Sequence, residues 1–260
     1  KIDFNMLVSR VKNKSKRLNL NQQLVANKEL GTFYGKFHKI EHHMAHLSSA
    51  FHVSQFDEAV ALSVDGFGDF TSTASGFASG IDINIEQRVF FPHSLGIFYQ
   101  ALTQWLGFPK YGDEYKVMGL APYAKKEYAE ELFQRFKKIQ EVKNINFEYV
   151  NKPKDLYFSI KSILDNKRFD TIASSLQQYT EYLILKWVKN LIKKTSIKEI
   201  CLAGGVAMNV KMNMLISKLS KKVNLFVPVC PDDASQAMGA CYASLLDRED
   251  IHLKNVFLKN

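Results

Sequence analysis

"EICLAGGVAMN", residues 199–209, carries an apolar run into the pair Gly204-Gly205 and then turns helical in its spacing. Downstream, "GVAMNVKMNMLISKLS" (205–220) reads as a helix, "NLFVPV" (224–229) as a second strand and "ASQAMGACYASLLD" (234–247) as a second helix. Strand, helix, strand, helix on short connections predicts an α/β layer with a parallel component. The glycines themselves admit two readings. Without a Cβ they let a phosphate approach backbone N–H groups at a helix N-terminus. They equally suit a turn where a helix packs closely on a strand. No Walker A or GxGxxG pattern accompanies them to decide the matter.

Upstream, "EAVALSVD" (58–65) is an apolar run closing on an acid, the pattern of a buried strand that delivers Asp65 to its end. "GFGDFTSTASGFASG" (66–80) has the composition of a tight hairpin, and "INIEQRVFF" (83–91) continues the sheet. "YGKFHKIE" (34–41) predicts a short strand leading into a helix over "HHMAHLSSAFHVS" (42–54). Helices are expected at 94–106, 125–138 and 168–193, with a pair of short strands in "KNINFEYVNKPKDLYFSI" (143–160). Residues 1–34 read as polar, basic helical pieces and a loop.

Composition limits the function classes. With 260 residues, 46% of them hydrophobic, the chain can bury a core as one large domain or two lobes. Its net charge of +9 favours anionic ligands such as nucleotides. Basic runs such as "KNKSKR" (12–17) read as solvated faces rather than a nucleic-acid site. Three scattered cysteines, Cys201, Cys230 and Cys241, fit no metal spacing, which points to a reduced, cytoplasmic protein. No apolar run reaches the roughly 20 residues of a membrane span.

Four further stretches could carry chemistry. In "HHMAH" (42–46), His42/His46 at i,i+4 and His43/His46 at i,i+3 each share a helical face. HExxH would require glutamate where His43 stands, so a zinc-protease motif is excluded. Two histidines with carboxylates still make a site for Fe, Mn or Zn. In "VDGFGD" (64–69), Asp65 can hold a metal while Gly66 and Gly68 let a hairpin bend over a phosphate, or Asp65-Gly66 is an ordinary turn. In "PDDASQAMGA" (231–240), either aspartate can ligate a metal or simply cap a helix. In "GDEYKVMGLAPY" (112–123), Lys116 sits in a glycine-bearing loop and can contact phosphate.

The ordered set "HHMAH", "LSVDGFGD", "HSLGIFYQALTQWLGF", "GDEYKVMGLAPY", "CLAGGVAMN" and "PDDASQAMGA" resembles the carbamoyltransferase family that includes nodulation and antibiotic O-carbamoyltransferases. The resemblance spans residues 38–245. It implies an α/β, two-lobed, actin-like ATPase (ribonuclease H-like) fold, with nucleotide in the cleft and a divalent metal, commonly iron, beside it. Carried over by position, it implies metal ligands His42, His46, Asp65 and Asp233, and a nucleotide loop of Gly204, Gly205, Val206 and Asn209, with Gly66 and Gly68 nearby. Lys116 falls in a shared segment and is the candidate catalytic lysine. Ser235 stands where relatives often have glycine, so its side chain would crowd or bond a phosphate.

The resemblance further implies transfer of a carbamoyl group from carbamoyl-adenylate to a hydroxyl acceptor. Residues 1–37 form a basic leader unlike the family's opening hairpin, so the domain is expected to be incomplete at its N-terminus. Residues 246–260 form a tail toward a YrdC-like domain expected in a longer protein. Two rivals remain in view: a tRNA threonylcarbamoyladenosine-type or chaperone-like nucleotide-binding protein, and a non-catalytic nucleotide-binding scaffold. Without an aromatic-interleaved basic stripe, nucleic acid is not an expected partner.

Overall fold

Burial on both faces governs the central strand β1 (Glu58–Gly68), where every residue from Ala59 to Asp65 is buried. Val60, Leu62 and Val64 join one cluster with Leu95, Phe98, Tyr179 and Trp187. Alternate residues Ala59 and Ala61 join a second cluster with Leu47, Ala50 and Phe51. A period of two therefore sends Ser63 and Asp65 to the second side. The computed structural model describes residues 38–152 and 156–246. The basic leader and the tail beyond 246, with the helical pieces expected in the leader, lie outside them.

Helix α1 (His42–Phe51) precedes β1, which pairs antiparallel with β2 (Thr71–Ser79), itself antiparallel to β3 (Asp82–Phe90). Next come α2 (Leu95–Trp105), α3 (Glu114–Leu120), α4 (Lys126–Lys137), a hairpin of β4 (Gln140–Lys143) and β5 (Asn146–Tyr149), α5 (Leu156–Leu164) and α6 (Phe169–Thr195). The last third adds β6 (Glu199–Ala203), α7 (Val210–Ser217), β7 (Asn224–Phe226) and α8 (Gln236–Leu246). The main sheet runs β3-β2-β1-β6-β7, with β1, β6 and β7 parallel. This is a mixed α/β fold, and its parallel component lies where the 199–247 pattern predicts.

One side of the sheet is covered by α2 and α6, where Phe98 of α2 meets Tyr179 of α6 at 5.3 Å and Phe136 of α4 edge to face at 5.3 Å. Fully burying each such aromatic contributes about 2–3 kcal/mol. The other side presents small residues, Ala59, Ala61, Ala74, Ala78, Cys201 and Ala203, which let α1 lie close against the strands. Helix α8 packs along α1 in turn, closely enough that a Cβ on Gly239 would fall 1.8 Å from the Ala45 carbonyl oxygen.

Several expectations are corrected. Residues 38–41 are irregular rather than a strand, because Glu41 caps α1 by accepting the Met44 N–H at 2.9 Å; the rest of "YGKFHKIE" lies outside the described residues. The strand pair begins at Gln140, and "LYFSI" opens α5 instead, with Ile160 and Leu164 buried at helical spacing. "EYKVMGL" is helix α3, not a loop, with Val117 and Ala121 buried one turn apart. The helix after Gly205 is broken: a 3-10 turn over Gly205–Met208 ends at Asn209, which caps α7. From Ile40 onward the described residues make one compact unit. Among the described residues, no helix is long and apolar enough to cross a membrane.

Candidate metal centre

The hairpin after β1 turns on Asp69 and Phe70, both at positive φ (49° and 64°), so Asp65-Gly66 is not the turn but part of the strand. The Asp69 carboxylate accepts the His42 N–H at 3.0 Å, tying the turn to the start of α1. Asp65 thereby faces α1 at the level of its first two turns.

His42 and His46 lie one turn apart on that face. Their Nε2 atoms stand 3.0 Å and 3.3 Å from Asp65 Oδ2. Asp233, arriving on the 3-10 turn before α8, puts Oδ1 3.8 Å and 3.4 Å from the same two nitrogens. His43 is buried elsewhere: its Nε2 donates to the Thr71 carbonyl at 2.9 Å, leaving Nδ1 to accept from Ser63 Oγ at 2.8 Å. Both its ring nitrogens are spent, which separates the two registers that the sequence leaves open. The pair "DD" divides as well, with Asp232 capping through Ala234 N–H at 3.3 Å while Asp233 faces the histidines.

This donor set fits a cation. The four ligand atoms lie within 4.8 Å of one another. Metal bonds of about 2.1 Å at tetrahedral or octahedral angles place neighbouring donors about 3.0–3.4 Å apart. Two imidazoles and two carboxylates suit Fe, Zn or Mn. Asp65 is further aligned by backbone: its Oδ1 accepts N–H groups of Gly66 at 2.7 Å and Gly205 at 3.3 Å, which turns Oδ2 toward the histidines.

Without a cation the cluster is an ion-pair network. Burial would raise the Asp65 pKa, but hydrogen bonds from His42 and His46 hold it well below the carboxylate range. Burial opposes charge on His42, yet the hydrogen bond to Asp65 and the nearness of Asp65 and Asp233 carry its pKa above 6.5. A depressed carboxylate stabilises above its ordinary 3.8 and loses that contribution as pH falls. A raised histidine stabilises below 6.5 and loses that contribution as pH rises through its higher folded value. The cluster's own contribution should therefore be greatest between 3.8 and 6.5, read in chelator as the difference between wild-type and His42→Ala thermal scans. His42→Ala should flatten the alkaline limb.

A cleft of about 510 Å³ opens beside the cluster, with Asp65 and Asp233 in its lining. Gly66, Gly205, Val206 and Asn209 also line it, together with apolar side chains including Phe67, Ile97 and Met118. The other expected residues stand differently. Gly204, at φ +89°, donates its N–H to the Pro231 carbonyl at 2.7 Å, and a Cβ there would lie 2.3 Å from the Val64 oxygen. It is a close-packing turn. Asn209 lines the cleft but commits its side chain to Gln177 and the Met212 N–H. Lys116 is not among the lining residues, and its Nζ pairs with Asp113 at 2.7 Å. Ser235 is buried against α1, 3.1 Å from Ser49 Oγ.

Gly68 admits the His42 ring: a Cβ would sit 2.1 Å from His42 Cγ. Gly68→Ala should accordingly displace the imidazole and weaken metal binding about tenfold or more, measured by competition with a chromophoric chelator. Two residues escape sequence reading. Gln236 places its amide against His42, His46 and Asp233. Tyr99 lines the cleft, its buried hydroxyl lacking any partner among the described residues. Neither belongs to a recognisable ligand spacing, so only their positions betray them.

Comparison with known proteins places the chain in a family. The sequence profile described as "Carbamoyltransferase N-terminus" matches residues 10–242. The match therefore takes in 10–37, which the motifs had left outside the resemblance. An uncharacterised protein of Synechocystis is 33% identical over 215 residues, 77% of this chain and 35% of that protein. The nodulation protein NolO of Bradyrhizobium diazoefficiens is 32% identical over 207 residues, 77% of this chain and 37% of that one. The crystal structure of T. kodakarensis HypF aligns with TM-score 0.47 and 16% identity, covering 88% of this chain and 39% of that chain. The chain thus spans about a third of the length of such curated relatives. Its motifs, in order and over most of its length, make it a member of the carbamoyltransferase N-terminal family.

Proposed function

We propose that this chain is the transfer domain of an O-carbamoyltransferase, moving a carbamoyl group from carbamoyl-adenylate to a hydroxyl of a small molecule or sugar. The observation that carries the reading is the His42, His46, Asp65 and Asp233 cluster, whose two aspartates line a ligand-sized cleft, in a chain of this family. Those four residues would hold a divalent metal, iron first and zinc or manganese next. Bound there, the ion supplies Lewis-acid polarisation of a phosphoryl or carbonyl oxygen.

The chain's own residues do the rest. Gly66 and Gly205 fix the Asp65 carboxylate, and the glycine backbone leaves room beside it for a phosphate. Phe67, Ile97 and Met118 give the cleft an apolar wall that seats the adenine and excludes water. The unpaired Tyr99 hydroxyl is a donor for a ligand oxygen. In the transfer, the acceptor oxygen bonds to the carbamoyl carbon as the bond from that carbon to the adenylate oxygen breaks, adenylate leaves with the bonding pair, and the acceptor's hydroxyl proton is released to the buffer. Carbamoyl-adenylate would come from a YrdC-like domain of the longer cytoplasmic protein. The actin-like relationship belongs to this same reading.

The test is an assay of the intact, metal-loaded protein with ATP, carbamoyl phosphate and a panel of hydroxyl acceptors, read by mass spectrometry. Carbamoylated acceptor supports the assignment; no transfer to any hydroxyl overturns it.

A further inference from the structure

Gln236 opens α8 three residues after Asp233 and turns its side-chain amide into the cluster. Its Nε2 lies 2.7 Å from Asp233 Oδ1, 2.8 Å from His42 Nδ1, 3.1 Å from His46 Nε2 and 3.2 Å from His42 Nε2. An amide nitrogen has two hydrogens to give. The two shortest contacts take them, so His42 Nδ1 is an acceptor. A neutral His42 then carries its proton on Nε2, which donates to Asp65 Oδ2 at 3.0 Å.

That tautomer has no Nε2 lone pair for an ion. Ligation through Nε2 requires the proton on Nδ1 instead, and Nδ1–H then needs an acceptor. Once Asp233 Oδ1 gives up its 2.7 Å bond from Nε2 to face an ion, the Gln236 amide can supply one by turning about its last torsion, which is broad and cheap to rotate, so that Oε1 replaces Nε2 beside Nδ1. We propose that Gln236 is the positioning residue of the metal centre, a two-way partner that holds His42 in one tautomer when the site is metal-free and in the other when it is loaded. This rests on the metal-centre reading above. Among the described residues His46 lacks such a partner, since its Nδ1 is buried and unbonded there.

Partners that orient a ligating histidine are worth about 10–100-fold in metal affinity. Co2+ titration of Gln236→Leu should show a loss of that size, with absorption bands keeping the wild-type shape because the ligands are unchanged. Gln236→Glu, which still accepts from Nδ1–H, should restore affinity to near wild type. Long-range 1H–15N correlation on the unaltered protein, at a pH above the raised His42 pKa, should find the ring proton on Nε2 in chelator and on Nδ1 with Zn2+. The nuclear magnetic resonance reading tests the proposal even if the leucine variant fails to fold.

Equal or tighter Co2+ binding by Gln236→Leu, while His42→Ala abolishes it, would overturn the role of Gln236 and leave the metal centre standing. The same ring proton position with and without Zn2+ would also overturn it. Absence of Co2+ binding by the wild type would overturn both readings together.

Discussion

Asp65→Asn is expected to lower metal affinity by more than about 100-fold, beyond the usual cost of removing an orienting partner. The residue does two jobs through one carboxylate. Oδ1 accepts backbone N–H groups from Gly66 and Gly205, and Oδ2 faces both histidine Nε2 atoms. Asparagine keeps the first job, because its carbonyl oxygen can still accept from both amides. It reverses the second, placing an uncharged donor where an anionic ligand stood. Shape is preserved and charge is lost, so the folded protein should remain while the ion does not. Elemental analysis of wild type and variant, beside circular dichroism in chelator, checks both halves. Bound metal at wild-type level in a folded Asp65→Asn protein would remove Asp65 from the ligand set.

Gly239→Ala is expected to destabilise by about 3 kcal/mol, the upper end of ordinary overpacking. For a domain of this size that is a fall in Tm of roughly 6–12 °C. A Cβ would fall 1.8 Å from the Ala45 oxygen and 3.0 Å from the Ser49 nitrogen. Both are backbone atoms of α1, so no side chain can swing aside; the helices must part. Since α1 carries His42 and His46 and the turn into α8 carries Asp233, metal affinity should fall with stability. Gly119→Ala is the control: a Cβ there meets nothing within 4 Å, and replacing a helical glycine should gain up to about 1 kcal/mol. Thermal melts of the two variants in chelator, followed by metal titration, separate the packing effect from the general effect of alanine.

Much of the site was visible in the chain because its chemistry is tied to local spacing. His42 and His46 share a face by helical period, and Asp65 closes an apolar run as a strand-end acid does. What could not be read was which neighbour uses which atom. His43 is adjacent to His42 and chemically identical to it, yet it bonds Ser63 and Thr71 across the sheet, 20 and 28 residues away. The glycines divide on the same ground. Gly205 lines the cleft, whereas Gly204 packs on Val64, Gly239 on Ala45 and Gly68 on His42. In sequence all four look alike, because a glycine records only that space is short and not what fills it.

The misread elements have a related cause. "EYKVMGLAP" looks like a loop because of its glycine and proline, but two buried residues a turn apart outweigh the weak helix propensity of one glycine. "LYFSI" looks like strand by composition, and burial of Ile160 and Leu164 makes it helix.

By itself, then, the sequence determined the order of strands and helices in its last third and the buried central strand, since each follows from periodicity over a few residues, while the ligand set of the candidate metal centre came from the family resemblance. Only the tertiary structure decided that Asp233 and Gln236 reach α1 from about 190 positions away. It also decided which glycines admit a neighbour rather than a ligand, and which imidazole nitrogens remain available. The physical reason is that these outcomes depend on distances set by packing helices α1 and α8 against one sheet, and no local pattern encodes a distance between segments that far apart.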